Sequence, residues 1–562
     1  MILRAFFSLI VFSILTAFWL SQTRNDSRLQ PLTDPQVDGI ACVSYAPYRM
    51  PGETPFDEGH QVSKARILDD LTRLSAVTNC VRTYSTQSGL QAVPKVAQSL
   101  NMQVLLGIWI GRKEADNRAE IDEGIAQAEA FPDTIRGVIV GNEVLLRREQ
   151  TAQAMAAYLD EVRQAVSLPV TYADVWEFWV ANKALQNHVD YLTVHILPYW
   201  EDHPVALEQA VEHVVEVFKD VNAQFEGKSM MIGETGWPSA GRQRGPARPG
   251  NVAQAEFIRA WVAAANTHQI DYNLIEAFDQ PWKRTLEGAM GGHWGMLDSA
   301  GEQKFPWRGE MAENPTAWQQ SLVAAALMIV AFVTTSLGLI RLQRGSETTV
   351  SAEQPSVPVT LTLAVVIGAC VGVLLPAQWA YLSDWNRYPA EWIASTVFWG
   401  ATLLLALLIP AVLGRSTPIP TGLAAWRKPS STTQASGADL IARLTGVLRL
   451  VVLFGAALFL LLHAFDARYR GFAIPLYLLP FGCILSLWVA GHRISMAGRE
   501  ERWLGLVCLI CLPFMLAPEI PANQDAWLLA ALMLPLALYP LFADRSKNKL
   551  ATNTAAAPGS TE

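Results

Sequence analysis

Two glutamates close short apolar runs in this chain, in Val140-Gly-Asn142-Glu143 and in Gly233-Glu234-Thr-Gly-Trp237-Pro238-Ser239. A lone glutamate is usually a solvated side chain. Two carboxyl groups facing each other across a cleft can break a glycosidic bond: one gives a proton to the leaving oxygen, while the other, ionised, stabilises or attacks the sugar carbon. On this reading Glu143 and Glu234 are the candidate pair. Asn142 is placed to hydrogen-bond a sugar hydroxyl, and Tyr199 to hold the Glu234 carboxylate. Trp200, Trp237 and Trp282 offer flat apolar faces for sugar stacking with an N–H at the edge. Tyr45, Arg82, Tyr84, Asp279 and Lys283 complete the candidate binding set. Glu143 is expected to titrate above its ordinary value, raised by its partner's charge and by partial burial. Activity should then fall on both sides of a mildly acidic to neutral optimum.

Such a pair needs a frame that brings distant segments to one rim. Between residues 31 and 315 short apolar runs alternate with helical patterns. The predicted strands are Gly39–Tyr45, Cys80–Tyr84, Gln103–Trp109, Arg136–Gly141, Pro169–Ala173, Tyr191–His195, Ser229–Gly233 and Asn273–Phe278. Stretches at 115–131, 151–166, 205–225 and 252–268 repeat apolar residues at three and four positions, the helical period. Eight strand–helix units in a segment of this size predict an α/β fold, a (β/α)8 TIM barrel, whose functional residues sit at the C-terminal strand ends. The two glutamates end strands four and seven, on opposite sides of the mouth.

With those motifs in place, the segment 38–308 resembles glycoside hydrolase family 17. The strand-seven motif around Glu234 is similar to that family's nucleophile signature, and Val140-Gly-Asn142-Glu143 to its acid/base strand. Val81-Arg82-Thr-Tyr84 and Leu197-Pro-Tyr199-Trp200 look like its strand-two and strand-six elements. The resemblance implies a (β/α)8 barrel, retention of configuration and β-1,3-glucan as substrate, with Glu143 as the acid/base and Glu234 as the nucleophile. Phe278-Asp279-Gln280-Pro-Trp282-Lys283 departs from the plant pattern and is closer to fungal and bacterial branches, some of which transfer glucan chains instead of hydrolysing them. A catalytically silent glucan-binding scaffold and a transporter with an accessory barrel are the competing readings.

Half of the residues are hydrophobic (51%), and the mean hydropathy of +0.20 is not evenly spread. Residues 1–30 carry Arg4 and an apolar run to Leu20 with no small-residue cleavage pattern, which reads as an uncleaved signal anchor. After Trp318 come runs at about 318–340, 359–379, 392–413, 450–465, 472–490, 503–520 and 526–543, most of them long enough to cross about 30 Å of hydrocarbon. The domains expected are therefore 1–30 anchor, 31–315 barrel, 316–545 membrane domain of about seven helices, and 546–562 a disordered cytoplasmic tail. With the N-terminus inside, the inner loops hold Arg341, Arg344, Arg415, Arg427, Lys428, Arg443, Arg449, Arg493, Arg499, Arg502, Arg545, Lys547 and Lys549. The outer loops after Trp318 hold only Arg387, Arg468 and Arg470. That asymmetry follows the positive-inside rule and puts the barrel outside. Together with the resemblance it implies a bacterial inner-membrane protein with its barrel in the periplasm. The partners expected are a β-glucan, the lipid bilayer and a glucan synthase or export component.

Span centres nearly free of ionisable residues argue against an ion or proton pathway. A net charge of −8 without a basic face excludes a nucleic-acid footprint. Gly288-Ala-Met-Gly-Gly292 lacks the Lys and Ser/Thr of a phosphate loop. His195, His203 and His293 are scattered and read as surface or rim residues, so neither metal nor cofactor is expected. Cys508 and Cys511 read as small apolar residues of a membrane helix. Cys42 and Cys80 could pair in an exported domain, but their places in predicted strand cores favour separate thiols.

Overall fold

The computed structural model describes every residue except Met1, Gln36, Glu58, Glu226, Ala467 and the segments 346–355, 416–417, 427–436, 491–496 and 543–562. The expected tail lies outside the described residues. The chain forms two compact units, Leu29–Glu313 and a second made of Met1–Arg28 with Asn314–Glu562.

The first unit is a closed barrel of eight parallel strands in chain order. They are β1 (Val43–Ser44), β2 (Cys80–Arg82), β3 (Gln103–Ile108), β4 (Ile135–Asn142), β5 (Val170–Val175), β6 (Leu192–His195), β7 (Met230–Thr235) and β8 (Tyr272–Leu274). The predicted α/β barrel is therefore present, with the first and last strands shorter than the apolar runs that announced them. Helices follow the strands, the longest being Glu114–Ala130, Ala152–Ala165, Leu207–Asn222 and Asn251–His268.

The strand period of two explains the layering. Val104, Leu106, Val138 and Val140 join the large core under the helices. The alternate residues Leu105 and Ile139 gather with Cys42, Cys80, Ala173 and Met231 in a small separate cluster. Within it Cys42 and Cys80 are joined in a disulfide, with Cα atoms 4.5 Å apart. The expectation of separate thiols is thus corrected. Cys80 opens β2 and Cys42 immediately precedes β1, and parallel neighbours in register bring their Cβ atoms together.

The second unit is helical. Ile2–Asp26, Ala317–Gly345, Val357–Trp385, Pro389–Leu413, Gly437–Phe465 and Gln524–Phe542 are long and apolar enough to cross a membrane. Ile474–Ala490 is apolar but shorter, and Arg499–Leu516 begins with four charged residues. The first helix is packed into this bundle: Phe12 and Leu15 are buried, and a Cβ on Gly482 would lie 2.9 Å from both side chains. The helix expected from residue 450 begins at Gly437 and takes in Arg443 and Arg449. Arg449 is fully buried, donating to Glu501 at 2.9 Å and to the Tyr539 hydroxyl at 3.1 Å. The expectation of span centres nearly free of charge fails at this position, where a buried partner compensates the desolvation of the guanidinium. Cys370, Cys483, Cys508 and Cys511 are free and buried.

Candidate active site

The site is assembled where β2, β4, β6 and β7 end. β4 leaves the sheet through two left-handed residues, Gly141 at φ +82° and Glu143 at φ +52°. A residue other than glycine rarely takes that conformation, and such strain gathers at functional positions. It is held by the Glu143 N–H donating to the Ala173 carbonyl at 2.8 Å and by the Glu143 carbonyl accepting from Arg147 at 2.9 Å. On β7, Gly233 lies under the β6 side chains. A Cβ there would come within 2.5 Å of Thr193 Cγ2 and 2.9 Å of His195 Cδ2. The glycine before Glu234 is therefore what lets His195 lie at the centre of the mouth.

Glu234 is 5% exposed, and its Oε1 accepts from Tyr84 Oη at 2.7 Å and Arg82 Nη1 at 3.2 Å. Arg82, itself buried, also donates to the Gly233 carbonyl at 2.7 Å and to Asn142 Oδ1, and lies over the Tyr84 ring at 4.6 Å. Tyr84 Oη is 2.7 Å from Ser44 Oγ as well. Glu143 is the more open carboxylate, its side chain 23% exposed. Its Oε1 meets His195 Nδ1 at 3.1 Å, and the same nitrogen is 3.8 Å from Glu234 Oε2. A carboxylate oxygen of Glu143, a ring nitrogen of His195 and a carboxylate oxygen of Glu234 all lie within 4.8 Å of one another.

Those three atoms also raise the question of a metal, against the expectation of scattered histidines. His195 is fully buried at the centre, not a rim residue, because β6 carries it into the barrel mouth. The Arg82 guanidinium bonded to Glu234 opposes a cation there, and the His195–Glu143 contact has hydrogen-bond length.

The electrostatics correct one expectation. Burial pushes the Glu143 carboxyl up, but the hydrogen bond from His195, with the charges of His195, Arg147 and Arg82, outweighs it and holds the group below its ordinary value. Only the partner carboxylate and burial were legible in the sequence. Elsewhere burial dominates: Asp174, beside Glu143, is raised to about 6, and Glu276 and Glu287 to about 7.

The other predicted binding residues divide. Tyr199 does not hold Glu234; its hydroxyl donates to the Arg242 carbonyl at 2.6 Å, and Tyr84 takes the expected role. Trp237 is wholly buried, stacked on Phe257 and bonded to the Arg248 carbonyl at 3.1 Å, so its faces are core. Tyr45 is buried and donates to Asp70 at 3.0 Å. Arg82 and Asn142 are turned to each other, and Asp279 to Lys304 at 2.9 Å. These strand-end side chains point down or sideways into the fold, which period-two patterning does not reveal. Trp200, under Arg244 at 5.1 Å, and Trp282, its Nε1 on Gln280 Oε1 at 2.7 Å, remain half-buried. Lys283 donates to both oxygens of Glu276 at 2.9 Å. Sequence reasoning missed Glu276, the role of His195, and Trp109, which carries Arg147 over its ring at 4.3 Å. A glutamate two residues beyond β8 was the available signal for the first.

Residues 42–295, inside the barrel unit, match the family model of the BtgE/BtgC glycoside hydrolase domain. The chain is 28% identical over 291 residues to the probable glucan endo-1,3-beta-glucosidase btgC of Aspergillus fumigatus, covering 46% of this chain and 41% of that protein. It is 27% identical over 265 residues to a glucan 1,3-beta-glucosidase of Arthroderma benhamiae, covering 44% of this chain and 86% of that one. Among solved structures, the glycoside hydrolase family 17 beta-1,3-glucanosyltransferase of Rhizomucor miehei is 25% identical at a TM-score of 0.42, covering 48% of this chain and 97% of that one. The chain thus spans less than half the length of the Aspergillus relative. The family-model match, which takes in the Glu143 and Glu234 motifs, agrees with the resemblance they carry.

Proposed function

We propose that the barrel unit is a retaining glycoside hydrolase or transglycosylase acting on β-1,3-glucan, with Glu234 as nucleophile and Glu143 as acid/base. The observation that carries this reading is the approach of the two carboxylates, with oxygens within 4.8 Å of one another. That matches the separation of about 5–5.5 Å used by retaining enzymes and not the roughly 6.5–9.5 Å that leaves room for an inverting water. The asymmetry of the pair supports the roles. Oε1 of Glu234 is fixed by Arg82 and Tyr84, which leaves Oε2 to attack the sugar carbon. As that C–O bond forms, the glycosidic C–O bond breaks and its oxygen takes a proton from Glu143. Glu143 then removes a proton from water or from an acceptor sugar hydroxyl, whose oxygen displaces Glu234.

Against the push of burial, the His195 hydrogen bond holds the Glu143 carboxyl low in the open site. A bound sugar that strips water from Glu143 favours its neutral form, the form that can donate to the glycosidic oxygen. Trp200 and Trp282 supply sugar-stacking faces on this reading.

The helical unit, about residues 316–545 with the N-terminal helix, anchors the barrel in a membrane with its site on the non-cytoplasmic face. The Lys/Arg asymmetry of the loops supports that orientation, and the Cys42–Cys80 disulfide fits an oxidising compartment such as a periplasm. A glucan synthase or export component is the partner this arrangement suits.

The test is the detergent-solubilised full chain with laminari-oligosaccharides, products read by mass spectrometry, and Glu234→Gln as control. Shortened chains that vanish in the variant identify a hydrolase, and elongated chains beside them a transglycosylase. A folded wild-type protein without turnover on any β-glucan overturns the enzymatic reading and leaves a glucan-binding scaffold.

A further inference from the structure

One buried carboxyl beside the acid/base has no part in the mechanism above. Asp174 lies near the end of β5, and both it and Tyr172, two residues earlier, are closed to solvent, at 0% and 1% exposure. The strand period of two puts them on one face: Tyr172 belongs to the core under the helices, while Ala173 between them packs in the small inner cluster. Tyr172 Oη donates to Asp174 Oδ2. The two then share one amide, for the Leu145 N–H lies 2.9 Å from Tyr172 Oη and 3.3 Å from Asp174 Oδ2. The other carboxylate oxygen accepts from the Val175 N–H at 2.8 Å.

Leu145 is two residues beyond Glu143, whose own N–H goes to the Ala173 carbonyl at 2.8 Å. β5 therefore grips the chain at Glu143 and again just past it, with the left-handed φ of +52° between the two grips. Such a residue persists only where its surroundings over-determine it. Tyr172 also packs under the turn, since a Cβ on Gly141 would lie 3.3 Å from Tyr172 Cε2. The hydroxyl and the two amides that donate to Asp174 are all neutral. For stability alone an uncharged side chain of similar shape would serve as well or better, because a buried carboxylate is costly without a paired cation. Repulsion from the Glu143 charge adds to the rise that burial gives Asp174, so the two carboxyls lie within each other's field.

We propose that Asp174, together with Tyr172, is a positioning group for the acid/base: the pair holds the Leu145 N–H, fixes the left-handed turn at Glu143 and so keeps the Glu143 carboxyl aimed at the glycosidic oxygen. This rests on the acid/base reading of Glu143 and adds to it the groups that aim that carboxyl. Neither side chain meets the sugar, because both are closed off behind the turn.

The test compares two substrates in the full chain for Asp174→Asn, Tyr172→Phe and the double variant. Laminari-oligosaccharides need a proton from Glu143 to release the leaving sugar. A dinitrophenyl β-laminaribioside does not, because its phenolate departs unprotonated. A group that acts through the acid is therefore read as a loss on the first substrate and not on the second. Asp174→Asn is expected to lower kcat/KM on the oligosaccharides by about tenfold or more, with the aryl glycoside within about threefold of wild type. Tyr172→Phe should act in the same sense, and the double variant should fall no further than Asp174→Asn, since the pair holds one amide. Hydrogen exchange read by mass spectrometry should show the Leu145 amide exchanging about tenfold faster or more in Asp174→Asn. The proposal is overturned if kcat/KM on the oligosaccharides stays within about twofold of wild type, or if both substrates lose equally, as a general loss of folded protein would make them. It is equally overturned if exchange at Leu145 is unchanged. Should Asp174→Asn not fold, Tyr172→Phe decides on the same criteria. A wild-type chain that turns over neither substrate, while exchange rises in the variants, would sink the activity and leave the hold on the turn standing.

Discussion

Replacing Arg82 takes one buried guanidinium away from three partners at once. Its guanidinium is 1% exposed and serves the Gly233 carbonyl, Glu234 Oε1 and Asn142 Oδ1 together. Arg82→Met leaves the Glu234 carboxylate, 5% exposed, with the Tyr84 hydroxyl at 2.7 Å and the more distant His195 nitrogen at 3.8 Å. Breaking a buried pair from one side costs about 3–5 kcal/mol, most of it the desolvation of the abandoned charge. For a unit of this size each kcal/mol is roughly 2–4 °C, so the barrel should melt at least roughly 6 °C lower. On the proposed mechanism a kinetic loss adds to this, because Glu234 would lose the contact that aims it and Asn142 the contact that orients it. Removal of one preorganised electrostatic contact usually lowers kcat by about 10²–10³-fold. Arg82→Lys keeps the charge without the planar fork and cannot reach Glu234 and Asn142 at once. It should recover much of the melting temperature and little of the rate. The assay is turnover of laminari-oligosaccharide by matched amounts of folded protein, with melting followed by intrinsic fluorescence. An Arg82→Lys protein at more than half the wild-type kcat would refute the idea that the fork aims the nucleophile.

Three further outcomes are expected. Tyr84→Phe removes the 2.7 Å bonds to Glu234 and Ser44 and should lower kcat by about tenfold or more, with a stability loss near 1 kcal/mol; unchanged kcat would show that Arg82 suffices to fix the carboxylate. Stability should fall as pH rises from about 5 to 8. Glu276 is raised by burial to about 7 against an unfolded value near 4.3, so its contribution is fully present below that value and is lost as pH rises through 7. Glu287 and Asp174 act in the same sense, and melting temperatures at pH 5 and pH 8 that coincide would count against all three. Reduction of Cys42–Cys80, which closes a loop spanning 38 residues, should lower stability by about 4 kcal/mol in the chain-entropy account; a melting curve indifferent to reductant would mean that the thiols are not joined in the native protein.

The barrel was legible in the sequence because its signal is repeated: eight apolar runs separated by helical patterns leave few alternatives, and a parallel barrel places every strand end on one rim. The two glutamates were legible because each closes such a run. Depth was not legible. Tyr45, Tyr199 and Trp237 stand next to strand ends as Tyr84 does, yet their polar atoms close onto Asp70, the Arg242 carbonyl and the Arg248 carbonyl. Strand patterning tells which face a residue takes, not how far above the core it lies, and a bulge between β6 and β7 shifts the register where His195 meets Glu234. Local spacing also hid Arg449, whose neutralising partner Glu501 comes from another helix. The disulfide was discounted for a similar reason: strand-core positions argue for apolar thiols until the register of two parallel neighbours is known.

The site's main physical feature is that two chemically identical side chains are given opposite surroundings by short-range means. Glu234 lies near the end of β7 just after a glycine, is nearly closed to water, and has one oxygen fixed by Arg82 of β2 and by Tyr84 just beyond it. Glu143 sits in a strained left-handed turn, is about a quarter open, and touches an imidazole in place of a guanidinium. A guanidinium cannot give up its proton at working pH, so it can only hold a carboxylate in its ionised form; an imidazole can hand its proton over and take it back. His195, on a strand between the two glutamates, meets both carboxylates, at 3.1 and 3.8 Å, and so is central to the site although neither motif contains it.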